Sequence, residues 1–176
     1  MDEKDSFAAV IADDSLIAQL RDTLGIEHYE YFSACMAYQE DEDKGAEVFV
    51  AVLGGEPVGA LLVRWSEADE PQVNLHLPKV PLFYHVVIRA DRRRQGLGTR
   101  FVKEVEAWLR GAGHTRAALG VDHSNKGARR FYQELGYVES AEPDLRGLRN
   151  ELRPDGTAND DEPYDIFVAD LYRSET

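Results

Sequence analysis

The segment from Phe83 to Tyr137 constrains the fold more than any other part of this 176-residue chain. At its centre is a glycine-containing stretch, Arg93-Arg94-Gln95-Gly96-Leu97-Gly98-Thr99, which we call the glycine loop. A β-prone apolar run, 83–88, precedes the loop, and apolar residues at helical spacing follow it over 101–109. Two closely spaced glycines let a backbone approach a ligand, and the first N–H groups of a helix attract anions. The sequence therefore predicts a strand, a phosphate-binding loop and a helix.

The glycine loop does not match two common nucleotide-binding motifs. A dinucleotide fingerprint would need a third glycine at Phe101, and a P-loop would need a closing Gly-Lys-Ser/Thr. The loop instead resembles the pyrophosphate loop of the GNAT superfamily of N-acetyltransferases, whose Arg/Gln-x-x-Gly-x-Gly/Ala signature is matched by Arg93, Gly96 and Gly98. The stretch 125–137 resembles that family's second cofactor element, an asparagine followed by a helix with Phe-Tyr and a closing Leu-Gly-Tyr. The resemblance is close over about a third of the chain and looser over most of the rest.

The resemblance implies an α/β (α+β) fold with a mixed central sheet flanked by helices. It further implies antiparallel N-terminal strands and a parallel β-α-β unit that holds the cofactor. The chain's own patterns predict strands at 6–11, 48–53, 57–65, 83–88, 116–121, from 137 and at 164–172, and helices at 16–24, 27–39, 99–111 and after Asn125. Residues 66–81 and 141–163 are predicted to be loops. The length is typical of a single domain, 1–176.

Composition limits the class of protein. Hydrophobic residues make up 43% of the chain, and no apolar run is long enough to span a membrane. The first residues, Met1 to Asp5, lack the basic and apolar regions of a secretory signal, so we expect a cytoplasmic protein without a membrane partner. A single cysteine, Cys35, excludes an internal disulfide framework and a cysteine-rich metal site, and no metal is predicted. A homodimer is left open.

Charge is distributed unevenly along the chain. The segment 83–132 contains eleven basic and four acidic residues and so carries +7, whereas the remainder carries −20. A cationic segment around a phosphate loop suits a polyanionic cofactor, and an otherwise acidic surface argues against nucleic acid as a partner. For Arg92 and Arg94 individually, a solvated surface position is the simpler interpretation.

The resemblance assigns roles to residues that would bind acetyl-coenzyme A. Backbone N–H groups of the glycine loop, from Arg94 to Thr99, would hold the pyrophosphate. Backbone groups of Val86 and Ile88 would align the pantetheine arm, with the N–H of Val86 bonding the thioester carbonyl, while their side chains would still belong to the core. Asn125 matches the position whose side chain holds that arm, but an asparagine there is also a natural helix N-cap.

Acetyl transfer also needs an acid and a base. Tyr132 matches the family's general acid, which protonates the departing thiolate, and the alternative is a buried tyrosine that anchors its helix. Many relatives have a glutamate base eleven residues before the motif, where this chain has Leu82. His85 is a candidate base because its usual pKa is suitable, although a strand histidine is often a hydrogen-bonded core group. Glu67, Glu70 or a water chain could serve instead.

These residues predict an N-acetyltransferase that moves the acetyl group directly to a primary amine of a small molecule or peptide in a ternary complex. The alternative is a coenzyme A-binding sensor without turnover. Acidic stretches at 40–43, 67–70 and 160–162 are expected to flank the far end of the cleft, which favours a cationic acceptor. Acidity that serves only solubility is the competing interpretation.

Overall fold

One seven-stranded sheet organises the residues that the computed structural model describes, which are 6–39, 45–65, 68, 70–149 and 163–173. In chain order the elements are β1 (Phe7–Ile11), α1 (Asp14–Thr23), α2 (Ile26–Gln39), β2 (Ala46–Leu53), β3 (Glu56–Arg64), α3 (Pro71–His76), β4 (Leu82–Ile88), α4 (Leu97–Gly111), β5 (Arg116–Asp122), α5 (Lys126–Glu134), β6 (Val138–Glu139) and β7 (Tyr164–Asp170). Short 3-10 turns lie at Ala90–Arg92 and Pro143–Leu145.

The strand order of the sheet is β1-β2-β3-β4-β5-β7-β6. Every neighbouring pair is antiparallel except β4 and β5, which are parallel and are joined through α4. The tight β2–β3 connection uses Gly54 and Gly55, both with positive φ, as the Gly-Gly pair predicts. The mixed sheet with antiparallel N-terminal strands and a parallel β-α-β unit is therefore confirmed.

Apolar side chains alternate between the two faces of the sheet. In β2, Phe49 and Ala51 join one buried cluster, and Val48 and Val50 join another. The first cluster includes the buried faces of α4 and α5, and the second includes those of α1 and α2. Strand alternation with period two thus places the two helix pairs on opposite faces of the sheet.

Helix boundaries follow from capping chemistry. The side chain of Asp13 accepts a hydrogen bond of 2.8 Å from the N–H of Leu16 and caps α1, as its sequence predicts. Helix α4 begins at Leu97, two residues before the predicted start at Thr99. Gly96 takes a left-handed φ of 76° at the N-cap, so the last part of the glycine loop forms the first turn of α4.

The prediction that 66–81 is a loop is wrong for its central part, because α3 occupies Pro71–His76. Pro71 stands in the first turn, where a missing N–H costs nothing, and Val73 is buried. The side chain of Asn74 also bonds the N–H and the carbonyl of Ala68, at 2.7 and 2.8 Å. Three prolines in this stretch therefore concealed a short helix.

The predicted loop 141–163 is described only at its two ends. A 3-10 turn at Pro143–Leu145 buries Leu145, and Leu148 forms an isolated bridge with Tyr164. Residues 150–162 lie outside the described part of the chain, as does the charged stretch 40–44.

Candidate active site

The parallel pair β4–β5 is joined over only two residue pairs. Leu82 faces Ala118 and Phe83 faces Leu119, and beyond them β5 continues to pair with β7 alone. From Tyr84 onward, β4 has no strand partner on its β5 side within the described residues. We call the resulting gap, between 84–88 of β4 and 120–122 of β5, the split cleft. Because no strand pairs with it there, the β4 edge is accessible to an extended ligand.

A β-bulge shapes the β4 side of the split cleft. Ala60 of β3 pairs with Val87, but Leu62 pairs with Tyr84, so β4 has one extra residue opposite Leu61. His85 lies in this bulge with φ of 51°, a left-handed conformation that non-glycine residues rarely adopt. Simple strand alternation therefore could not predict the direction of His85. The side chains of Val86 and Ile88 pack against the core on the α4 side, as predicted.

The glycine loop lies at the end of β4 and presents free backbone donors. Within the described chain, no protein acceptor pairs with the N–H groups from Arg94 to Thr99, and the first helical bond runs from the N–H of Arg100 to the carbonyl of Gly96 at 3.0 Å. These donors stand at the positive end of the α4 dipole. The arrangement is suited to a phosphate or pyrophosphate group.

Two side chains of the glycine loop fix its shape. Arg93 donates through Nε to the carbonyl of Ile88 at 2.9 Å, and Gln95 donates to the carbonyl of Asp91 at 3.1 Å. The Arg94 backbone has φ of 59°, and its guanidinium forms no bond to another described residue. Arg93 and Gln95 therefore hold the loop, and Arg94 remains available to meet an anion.

The two glycines of the loop are needed for different reasons. Gly96 has open space around it and is required for its positive φ. A side-chain carbon added at Gly98 would lie 3.4 Å from the ring of Phe131 and 3.7 Å from Ile88. Gly98 is thus the point where β4, α4 and α5 converge, and its small size keeps the backbone open to a ligand.

Asn125 lies directly before α5 and caps it. Its Oδ1 accepts a hydrogen bond of 2.9 Å from the N–H of Ala128. The N-cap role that the sequence offered is therefore present. The side-chain amide Nδ2 has no protein partner among the described residues, so contact with a pantetheine arm stays a prediction.

Tyr132 is a buried residue of α5, 8% exposed, and packs against Phe131 and Tyr137. Its hydroxyl forms no hydrogen bond within the described chain. In that part of the chain, the Nε of Arg92 is the one enclosed side-chain polar atom without a hydrogen-bond partner, so the Tyr132 hydroxyl is not fully enclosed. Burial raises the pKa of Tyr132 well above its usual value, which keeps the hydroxyl protonated.

His85 is the one exposed side chain of β4, and α2 provides its contacts. Its Nε2 lies 2.8 Å from Nδ1 of His28, and its ring stacks on Tyr31 with centroids 4.2 Å apart. These contacts remove water from the ring, and this desolvation, with the neighbouring His28, lowers the pKa of His85 below its usual value of 6.5. No local sequence pattern predicts the partnership with His28, which is 57 residues away.

A cavity of about 160 Å³ lies where β4 and β5 separate. His85 lines it together with two carboxylates, Glu70 and Asp122, and with Tyr164, whose hydroxyl donates to Glu70.

Leu82 also lines this cavity and is buried, so the position that carries a glutamate in many relatives is apolar here. Neither Asp122 nor Tyr164 was predicted from the sequence. Of the three acidic stretches expected here, Glu70 is the one acidic residue within the described ranges.

A larger cavity, about 590 Å³, lies at the other end of α4. It borders what we call the closed cluster, Glu106, Tyr137 and Arg173. The Tyr137 hydroxyl donates to Glu106 at 2.8 Å, and Arg173 donates to both Glu106 oxygens at 2.9 and 3.0 Å. Arg173 also donates to the carbonyl of Leu135. The polar groups of this cluster satisfy one another, and we assign it to stability.

Within the described residues, no group of three or more His, Cys, Asp or Glu side chains could hold a metal ion. Every helix in those ranges is too short or too polar to cross a lipid bilayer.

A mixed sheet with a split parallel pair, and a helix N-terminus whose N–H groups have no protein acceptor in the described chain, form a site suited to a phosphate-bearing ligand. The acetyltransferase (GNAT) family model matches residues 16–137, and the chain belongs to that family. Proteins of this family are acetyltransferases, for which acetyl-coenzyme A is the acyl donor, and the solved structure of one similar protein contains coenzyme A.

An uncharacterized N-acetyltransferase of Methanocaldococcus jannaschii is 29% identical over 111 residues, or 62% of this chain and 44% of that protein. This chain therefore matches less than half the length of that relative. The ribosomal-protein-S18-alanine N-acetyltransferase of Escherichia coli has a similar fold, with a TM-score of 0.64 and 14% identity over 97% of each chain. An aminoglycoside 6'-N-acetyltransferase complexed with coenzyme A has a TM-score of 0.63 and 18% identity, covering 96% of this chain and 99% of that one.

Proposed function

We propose that this protein transfers the acetyl group of acetyl-coenzyme A directly to a primary amine in a ternary complex. The observation that carries the proposal is the meeting of two sets of backbone groups. One set is the run of N–H groups from Arg94 to Thr99, which have no acceptor in the described chain, and the other is the β4 edge beyond Phe83, which has no strand partner on its β5 side among the described residues. The first set suits the pyrophosphate, and the second suits an extended pantetheine arm.

The chemistry can be assigned to residues step by step. His85 removes a proton from the acceptor amine, and the freed electron pair attacks the thioester carbon. The N–H of Val86 stabilises the oxyanion that forms. When the carbon–sulfur bond breaks, Tyr132 gives its hydroxyl proton to the coenzyme A thiolate. The nitrogen of the adduct, positively charged after attack, loses its second proton, which restores the Tyr132 hydroxyl. The raised pKa of Tyr132 and the lowered pKa of His85 support these roles, since each group then starts in the required protonation state.

The acceptor we propose is a cationic amine. Glu70 and Asp122 line the cavity beside His85, and none of the lining residues is a lysine or arginine. Carboxylates at this position would attract an ammonium group and repel an acid. A polyamine, an aminoglycoside-like amine and a basic peptide end all satisfy this requirement.

A coenzyme A sensor without turnover is the second candidate. It is favoured by Leu82, a buried apolar residue at the position where many relatives carry a catalytic glutamate. A sensor would bind acetyl-coenzyme A and transfer its acetyl group to no amine.

The test uses purified protein, acetyl-coenzyme A and three acceptors, namely spermidine, kanamycin and a basic peptide with an N-terminal alanine. Release of free thiol is followed, and the product is identified by a mass increase of one acetyl group. We expect acetylation of at least one acceptor above the rate without protein. Calorimetric binding of acetyl-coenzyme A without transfer to any amine would support the sensor, and absence of binding would contradict both candidates.

A further inference from the structure

Two histidines from distant parts of the chain meet beside the split cleft. His28 is in the first turn of α2, and its Nδ1 lies 2.8 Å from Nε2 of His85 in the β4 bulge. That distance accommodates one N–H···N hydrogen bond, so one ring donates and the other accepts. Tyr31 stacks on His85, and Phe32 meets it edge-on with centroids 5.4 Å apart. The His85 ring is therefore held by contacts from α2.

We propose that His28 is a positioning residue that holds His85 in the tautomer able to act as the base. The inference rests on the proposed acetyltransferase function and adds the residue that prepares its base. The Nε2–H of His85 donates to Nδ1 of His28, which leaves the lone pair of His85 on Nδ1. That nitrogen has no partner among the described residues and is the one left to meet an acceptor.

The proton transfer balances in this arrangement. His85 Nδ1 forms a bond to the acceptor's proton, and the electron pair of the broken N–H bond stays on the acceptor nitrogen, which bonds to the acetyl carbon. His85 later releases this proton to solvent, and the second proton of the acceptor nitrogen leaves after the attack and restores the Tyr132 hydroxyl. In the opposite tautomer, the proton on Nδ1 would face the acceptor and His85 could not accept another.

The electrostatic surroundings keep His85 neutral at pH 7. The titratable groups that face it or share its cavity are His28 and Tyr31 from α2, Tyr84 from β4, Glu70 before α3, Asp122 from β5 and Tyr164 from β7. Partial burial, followed by the effect of His28, lowers the pKa of His85 from 6.5. Activity is therefore present above that pKa and lost as the pH falls through it.

The kinetic test compares His85→Gln, His28→Phe and the control His114→Phe, with the fastest of spermidine, kanamycin and the alanine peptide as acceptor. For His85→Gln, we expect kcat at pH 7 to fall about 10²-fold and the acid limb of the pH profile to disappear. The deficit should narrow as the pH approaches the acceptor's own pKa, because solvent then supplies the neutral amine.

For His28→Phe, we expect kcat to fall about tenfold with KM unchanged, since the ring remains but the correct tautomer is no longer fixed. The acid limb should also move, because the imidazole that bonds His85 Nε2 is lost. His114 lies away from the cavity, and His114→Phe should keep the wild-type profile. A merely structural role for His28 would change the melting temperature but not the acid limb.

Long-range ¹H–¹⁵N spectra of the histidine rings test the tautomer without turnover. In the free wild-type protein at pH 7.5, we expect His85 to be protonated on Nε2, and in His28→Phe to be a mixture of tautomers. An Nδ1-protonated His85, or His28→Phe kinetics identical to wild type, would overturn the positioning role while the acetyltransferase stands. Failure to acetylate any acceptor would overturn the enzyme and the role of the pair together.

Discussion

Similar polar groups differ in whether they are hydrogen-bonded: in the closed cluster they bond one another, and beside the split cleft several have no protein partner among the described residues. Tyr132 and Tyr137 lie in the same core with ring centroids 5.7 Å apart, and both are buried. The Tyr137 hydroxyl donates to Glu106, whereas the Tyr132 hydroxyl has no partner in the described chain. A hydroxyl that is not fully enclosed and has no protein partner can meet a ligand, whereas a buried, paired hydroxyl contributes to stability. We therefore propose a chemical role for Tyr132 and a structural role for Tyr137.

Cations and backbone groups at the two ends of α4 also differ in whether they have protein partners. Arg173 is fully engaged by Glu106 and by the carbonyls of Leu135 and Asp170. At the other end of α4, the N–H groups of the glycine loop and the guanidinium of Arg94 have no protein partner among the described residues. The polar groups near one end of α4 thus bond one another, and the donors at the other end are suited to an external anion.

The largest expected effect comes from a carboxylate placed at Gly98. Gly98→Glu should weaken acetyl-coenzyme A binding by about 10²-fold or more, because like charges meet and the new side chain blocks backbone approach. The matched control is Gly111→Glu at the opposite end of the same helix, where the surroundings are open. Calorimetry should show wild-type affinity for the control. Equal affinities for the two variants would remove the phosphate site from this end of α4.

Removing the Tyr132 hydroxyl, which has no protein partner among the described residues, should slow catalysis. Tyr132→Phe should lower kcat by about 10²-fold with little change in cofactor affinity, a loss typical of a general acid. Its melting temperature should stay close to wild type, since no protein hydrogen bond is lost. Wild-type turnover in this variant would show that Tyr132 is a packing residue.

Removing the Tyr137 hydroxyl, which donates to Glu106, should lower the stability of the fold. Tyr137→Phe should lower the free energy of unfolding by about 1–3 kcal/mol, because buried Glu106 loses one of its donors and keeps Arg173. Urea unfolding measures this change, and the kcat of the folded variant should remain within a few-fold of wild type. A large loss of kcat without a loss of stability would reverse the roles of the two tyrosines.

The smallest effect concerns the acidic cavity. If Glu70 and Asp122 attract a cationic acceptor, kcat/KM for that acceptor should fall several-fold between low salt and 1 M salt, where the screening length is about 3 Å. The kcat at saturating acceptor should change less. A best acceptor that is neutral or anionic, or a kcat/KM that salt does not alter, would contradict the charge argument alone.

Much of the fold and the cofactor end of the site could be predicted from local sequence. The Gly96 and Gly98 spacing predicts the loop because local backbone freedom decides it, and Asn125 predicts a cap for the same reason. Gly54-Gly55 likewise predicts the β2–β3 turn. The residue roles in cofactor binding and catalysis remain predictions.

The acceptor end could not be predicted because it depends on contacts between distant segments. The bulge that re-aims His85 leaves no local signature in 83–88, and His28 reaches it from α2. Tyr164 meets Glu70 across 94 positions of sequence. The helix α3 was hidden by prolines that usually indicate a loop.

The central claim is that acetyl-coenzyme A occupies the split cleft with its pyrophosphate on the glycine loop. A titration of the ¹⁵N-labelled protein with acetyl-coenzyme A, followed through the backbone amide signals, tests it directly. We expect the largest shifts at Gly96, Gly98 and Val86, with little change around Arg173. Shifts concentrated at Lys103, Arg110 and Arg173, which line the larger cavity, with the glycine loop unmoved, would contradict it.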